Sequence, residues 1–522
     1  MDFLVIFIPL LPIFSAVIIG MGFLSNVHVN DEREHKTSVI ARGSIMLMCL
    51  LALALLVSDL LGKNSGFYSV GQWLNSDKLN IELNFITSGF SVILAALFSI
   101  ILVIVTQFST FYLHKEPGFI RYLFIFSLFS AGMMLIALSG NAVLTFIGWE
   151  LAGLCSYFLI SFAYNRPVAT INATRVFVTN RVGDASFILG ISLMFVYLGT
   201  TSWTELNANI EILSLPAVTM IALCFAVAAF AKSAQLPFSP WLARAMEGPT
   251  PSSAVFYGSV MIHSGVFLVI LLQSVFEQAP FAMALLLVVG FLTALYSFIV
   301  GLTQTDVKSS ISFAITGQIG LMFIECGLGL WELASVHLCA HVIVRGYQVL
   351  SSPSLVFNGN DNPMIPVSPK VRRMRWLYNS SLQRFWLDPI TERALVRPIR
   401  GLGKDLDYFD SAVINRVMGS PTMSVSTLSS LVKLEKKDHE TKLPYAANDF
   451  GRGNGFAGKI FEWTARLMSW FEERLVLKGI GMDMIDIGRV LGQSAITFEK
   501  LILKPRYLVL FVFIMLLIAA SV

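Results

Sequence analysis

LPAVTMIALCFAVAAFAKSAQLPF, residues 215–238, carries a lysine inside a run otherwise fit to cross a bilayer. Spanning the hydrocarbon core takes about 20 apolar residues. A charge at its centre costs about 2.5–3.5 kcal/mol even on the lenient insertion scale. Lys232 is followed by Ser233, Gln235 and Pro237. A proline there ends or breaks the helix and frees backbone carbonyls. Transporters place such broken helices at mid-membrane ion sites. The competing reading is a lysine that snorkels to the interface.

The rest of the chain has the same character. Of its 522 residues 55% are hydrophobic and 13% charged, and mean hydropathy is +0.72, which excludes an ordinary soluble domain. Apolar runs near 3–24, 40–62, 85–108, 119–139, 142–163, 172–199, 216–235, 252–275, 280–301, 306–328, 331–352 and 506–522 predict about twelve transmembrane helices in an all-α polytopic membrane protein. The first has Asp2 in place of a basic region and reads as a membrane helix, not a signal peptide. Basic residues collect after odd-numbered helices: Arg33, Lys36, Arg42, Lys115, Arg121, Arg166, Arg175, Arg244 and Lys308. Little beyond Lys63 and Lys78 follows the even ones. The positive-inside rule then puts the odd loops in the cytoplasm and the N-terminus outside. Residues 353–505 hold no run of spanning length; they are polar, with apolar residues at helical spacing, as in FEWTARLMSWFEERLVLKGI. They predict a cytoplasmic amphipathic helical segment with a linker at 419–455. The net charge of +4 gives no reason to expect nucleic-acid binding. Cys49, Cys155, Cys224, Cys326 and Cys339 lie in apolar runs without metal spacing and read as small buried hydrophobes.

Other ionisable residues interrupt the spans. Glu150 lies inside NAVLTFIGWELAGLCSYFLI, beside Trp149 and the small residues Ala152 and Gly153. A desolvated carboxylate has a proton affinity that its neighbours can adjust, which a pump requires. His337, His341 and Arg345 stand at i, i+4 and i+8, on one stripe of one helix. Two imidazoles ending at a fixed charge read as a proton wire, with zinc chelation or a satisfied polar core as the alternatives. Arginine can hold or repel a proton but cannot relay one. In NRVGD, Arg181 and Asp184 either pair as a structural helix-start ion pair or tune Glu150 from a neighbouring helix. His263 is a lone polar residue in an apolar run, Lys308 lies where snorkelling competes with function, and Glu325 sits near a helix end and reads as wet.

Several strings together resemble one family: NAVLTFIGWELAGLCSYFLI, TNRVGDASFILGI, AKSAQLPFSPWLARAMEGPTPSSA, QTDVKSSISFAITGQIGLMF and HLCAHVIVRGYQ. They are similar to the proton-conducting antiporter-like subunits, which include the L subunit of NADH–quinone oxidoreductase and the A and D subunits of multisubunit Na+/H+ antiporters. The resemblance spans 85–352. It implies a proton path through Glu150, Lys232, Arg181 and Asp184, to which the residue reading adds His263, His337, His341, Arg345 and Lys308. It also implies an inverted-repeat fold, with Lys232 on the first broken helix. The implied organisation is an N-terminal three-helix segment (1–110), a first repeat (111–278), a truncated second repeat (279–352), the amphipathic segment (353–505) and a last helix (506–522).

Three departures matter. Arg345 stands where the family has a lysine, Tyr257 stands where it often has a histidine, and no second broken helix follows residue 352. This layout is most similar to the shortened membrane subunit of the two-component inorganic-carbon accumulation complex, whose partner is a large cytoplasmic zinc protein like β-carbonic anhydrases. The resemblance therefore implies proton-driven CO2 or bicarbonate uptake in a bacterial inner membrane, with zinc in the partner and no cofactor or metal in this chain. The alternative is a pumping subunit of a redox or Na+/H+ antiporter complex. No nucleotide loop or cysteine cluster points to catalysis by the chain itself.

Overall fold

The computed structural model describes residues 2–24, 30–75, 80–304, 307–352 and 374–409, with the isolated positions 463 and 467. Among the described residues, eleven helical spans are long and apolar enough to cross a membrane. Their helices are α1 (Leu4–Leu24), α2 (Asn30–Leu60), α3 (Phe90–Tyr112), α4 (Phe119–Leu138), α5 (Ala142–Ile160) and α6 (Pro167–Leu198). After the short α7 (Trp203–Asn209) come α8 (Leu215–Lys232) and α9 (Pro240–Arg244). The eighth span, Thr250–Leu271, consists of α10 (Thr250–Ser253), a wide π turn, a 3₁₀ turn and α11 (Ser264–Leu271). Then follow α12 (Gln273–Glu277), α13 (Pro280–Gly301), α14 (Val307–Gly327) and α15 (Trp331–Ser351). These are the first eleven expected spans. The expected twelfth at 506–522, the 419–455 linker and most of the 353–505 segment lie outside the described residues.

One feature escaped the count of apolar runs. Between α2 and α3, β1 (Phe67–Asn75) and β2 (Asn80–Ile86) pair antiparallel with two register shifts. The hairpin abuts the membrane bundle: Asn141 donates through Nδ2 to the Glu82 carbonyl (2.7 Å) and to Asn84 Oδ1 (2.6 Å). Asn141 also caps α5, its Oδ1 accepting from the Leu144 amide at 2.7 Å.

Between membrane helices the hydrophobic effect is weak, so small residues that permit close backbone approach decide the packing. A Cβ on Gly148 of α5 would stand 2.7 Å from the Gly132 carbonyl oxygen of α4. A Cβ on Gly183 of α6 would collide with the Ala231 methyl of α8. Gly183→Val is therefore expected to push α6 from α8 and cost about 1–3 kcal/mol, the usual penalty for overpacking. Thermal unfolding in detergent measures it; an unchanged midpoint would contradict this contact.

α8 stops at the expected place. The Ser233 amide closes the last turn on the Ala229 carbonyl (2.9 Å), and the Gln235 amide reaches the Phe230 carbonyl (2.9 Å). The chain then turns through Ala234, at φ +53°, and a cis Leu236–Pro237 bond before α9. Helix ends leave carbonyls without amide partners. Here the Trp241 indole donates to the Ala231 carbonyl at 2.8 Å.

After α15, residues 374–396 fold back on the bundle and do not form a separate surface layer. Ser381 Oγ donates to the Ile299 carbonyl (2.9 Å), and ion pairs join Arg175 to Glu392 (2.9 Å) and Arg244 to Asp388 (3.3 Å). Arg397–Phe409 is a helix of the second compact unit, Arg397–Val522.

Candidate functional site: two linked polar clusters

The first cluster lies between α5, α6 and α8. Lys232 is 1% exposed, which removes the snorkelling reading. Its Nζ donates to the Trp149 carbonyl at 2.9 Å and stands 4.9 Å from that residue's ring centroid. The Trp149 indole donates to Asp184 Oδ1 at 2.8 Å. Arg181 bonds Glu150 through Nη1 and Asp184 through Nη2, the latter at 2.9 Å. Arg181 thus pairs both within its own helix and with Glu150 on α5. The motif is not at a helix start, however. α6 begins at Pro167, five residues before the expected start at 172, so Arg181 and Asp184 lie in mid-helix.

Two carboxylates and two cations make this set neutral when all four are ionised. Buried charges are tolerable only when paired in this way. Gly153 supplies the room: a Cβ there would stand 3.1 Å from Arg181 Nη2 and 3.4 Å from Lys232 Nζ. Sequence reading passed over Trp149 and Gly153 as mere neighbours of Glu150.

The second cluster lies between the eighth span, α14 and α15. His263 is fully buried where the π and 3₁₀ turns interrupt its span, an irregularity common at functional sites. Its Nε2 meets His341 Nδ1 at 2.8 Å. Arg345 Nε donates to His341 Nε2 at 3.3 Å and its Nη1 to Gln348 Oε1 at 2.6 Å. A guanidinium only donates, so His341 Nε2 accepts and its ring proton sits on Nδ1, aimed at His263. The His337 ring lies edge-on to His341, centroids 6.2 Å apart. Its Nε2 faces Gln318 Oε1 (3.1 Å) and its Nδ1 faces Glu325 Oε1 (2.8 Å). Glu325 does lie near the end of α14, with its side chain 15% exposed and bonded to His337. Gln318 and Glu325 were legible only as isolated polar residues on α14, since their pairing needs the fold.

The clusters meet at α8 and the irregular span. Ser233 Oγ, next to Lys232, donates to the carbonyl of Ile262, next to His263, at 2.6 Å. Lys308 is apart from both, its Nζ donating to Thr250 Oγ1 at 3.0 Å. Among the described residues, no group of three or more His, Cys, Asp or Glu side chains is placed to hold a metal ion.

A family model described as NADH:quinone oxidoreductase/Mrp antiporter, TM, matches residues 139–379. A second, NADH-ubiquinone oxidoreductase (complex I) chain 5 N-terminus, matches 73–123. The chloroplastic NAD(P)H-quinone oxidoreductase subunit 5 of Zygnema circumcarinatum is 31% identical over 360 residues, covering 67% of this chain and 50% of the relative. NADH-quinone oxidoreductase subunit L of Rickettsia typhi is 29% identical over 386 residues, covering 73% and 58%. The chain spans about half the length of the curated relatives it matches. In the solved Mrp complex from Dietzia sp., one chain superposes with a TM-score of 0.58 at 24% identity, covering 66% of this chain and 37% of that one. The archaeal membrane-bound sulfane sulfur reductase gives 0.57 at 18%, covering 66% and 70%. The second of these likenesses bears on fold alone, as does the first. With one family model matched along the spans that hold both clusters and a second along the segment before them, the chain belongs to the antiporter-like membrane-subunit family of NADH–quinone oxidoreductases and Mrp antiporters.

Proposed function

We propose that this chain moves protons across a bacterial inner membrane as one subunit of a larger assembly. Lys232 carries the reading: a buried amine in a charge-balanced set with Glu150, Arg181 and Asp184, one residue from Ser233, which bonds the Ile262 carbonyl next to His263. Such a set can change its protonation with little change in surroundings, because each gain or loss is shared among neighbours. Protons suit it better than Na+, since the ionisable set mixes Glu, Lys and His where a sodium site would gather oxygens. The chain takes the N-out orientation, with the basic loops in the cytoplasm.

The work driven is inorganic-carbon uptake. In this reading, proton entry energises one-way CO2 hydration or bicarbonate uptake by a large cytoplasmic zinc-containing subunit like a carbonic anhydrase. The polar stretch 353–505, which holds no apolar run of spanning length, supports a partner-driving subunit. The relatives' names support a second reading, a pumping subunit of a quinone-reducing or Na+/H+ antiporter complex. Purification from the native membrane in mild detergent, with mass spectrometry and a zinc assay, separates the two. One large zinc-bearing soluble partner is the expected result. Co-purifying flavin and iron–sulfur subunits would overturn the carbon-uptake reading.

A further inference from the structure

We infer that Glu325 is the outer mouth of the proton line, passing protons between His337 and the water opposite the basic loops. The inference rests on proton conduction by this chain and adds where the line opens.

Glu325 lies two residues before the end of α14, at the turn into α15. That turn is tight: the Leu330 amide donates to the Glu325 carbonyl at 2.9 Å, and Gly329 takes φ +76°. The turn faces the carboxylate across to His337, Oε1 to Nδ1 at 2.8 Å. The other carboxylate oxygen, Oε2, is buried without a hydrogen-bond partner among the described residues. An unpaired buried carboxylate oxygen is costly, and water is the usual partner. Behind His337, its ring edge meets His341, which bonds His263. The buried pair and Glu325 therefore share one imidazole neighbour. Transfer is a simple exchange: the His337 Nδ1–H bond breaks as a Glu325 O–H bond forms, leaving a neutral imidazole and a neutral acid. The acid then releases its proton to water from the outer end of the turn. Inward flow runs the same steps in reverse.

The neighbouring acids at this end are not on the line. Glu277 accepts from the Trp331 indole at 2.8 Å, and Glu332 is exposed.

The test is potential-driven proton flux into vesicles bearing the full-length chain, read with an internal pH dye. Glu325→Gln keeps an oxygen acceptor for His337 but cannot titrate; it is expected to cut flux about 100-fold, the low end of what a positioned proton-transfer group supplies. Glu332→Gln, at the same end, is expected to conduct like the wild type. Glu325→Ala is expected to regain flux when azide, a small weak acid, is added on the outer side, which a merely structural role would not produce. Normal flux in Glu325→Gln with none in Glu150→Gln would place the mouth elsewhere and leave conduction standing. Normal flux in Glu150→Gln would remove the proton line itself. If Glu325→Gln fails to insert, the azide result decides alone: no regain overturns the assignment.

Discussion

Lys232→Ala is expected to abolish proton movement while the protein still inserts. The amine is the one group of the first cluster on α8, and its neighbour Ser233 makes the contact to the His263 span. Without it, Arg181 faces Glu150 and Asp184 alone, and the fully ionised set carries one excess negative charge. Arginine cannot take over, because a guanidinium does not deprotonate in a protein. The loss is expected to reach about 100-fold or more, the scale of a positioned proton-transfer group. Lys232→Arg separates charge from titration. It preserves the balance, and Gly153 leaves some room for it, yet it is expected to conduct no better than alanine. Flux in vesicles, normalised to inserted protein, is the readout. A conducting Lys232→Arg would show that fixed charge suffices and would sink the relay role.

The largest effect on stability is expected from Arg181→Leu. Its guanidinium holds Glu150 and Asp184 together across α5 and α6 and lies 4.4 Å from the Phe177 ring centroid. Asp184 is 3% exposed, so removing its partner strands a buried charge. Breaking a buried pair on one side costs about 3–5 kcal/mol. Adding Glu150→Gln should recover part of this, since one of the two stranded charges disappears with it. Thermal unfolding in detergent of the single and double variants measures both terms. A double-variant loss equal to the sum of the two single-variant losses would show that Glu150 and Arg181 do not interact energetically.

The spans were legible because spanning length and hydropathy are local properties. All eleven described spans fall where apolar runs predict them. The hairpin at 67–86 was not, because its strands are shorter than a membrane span and their pairing and their contacts to Ser139, Gly140 and Asn141 form only in the fold. The kinked backbone before His263 was also invisible: AVFYGSVMIH contains no proline, and its π turn is set by packing. In the site, Glu150 and Lys232 announced themselves by the cost of burying a charge. The His337–Glu325 pair did not, because twelve residues and a turn separate partners that only the α14–α15 packing brings together. Arg345 was read as ending the wire; the fold gives it a second task, fixing the His341 tautomer.

Proton flux through the wild-type chain in vesicles, under an imposed potential and with Na+ absent and then present, tests the central claim most directly. The account predicts flux without Na+ and no added flux with it. No flux in sodium-free buffer, or flux that appears only with Na+, would contradict it.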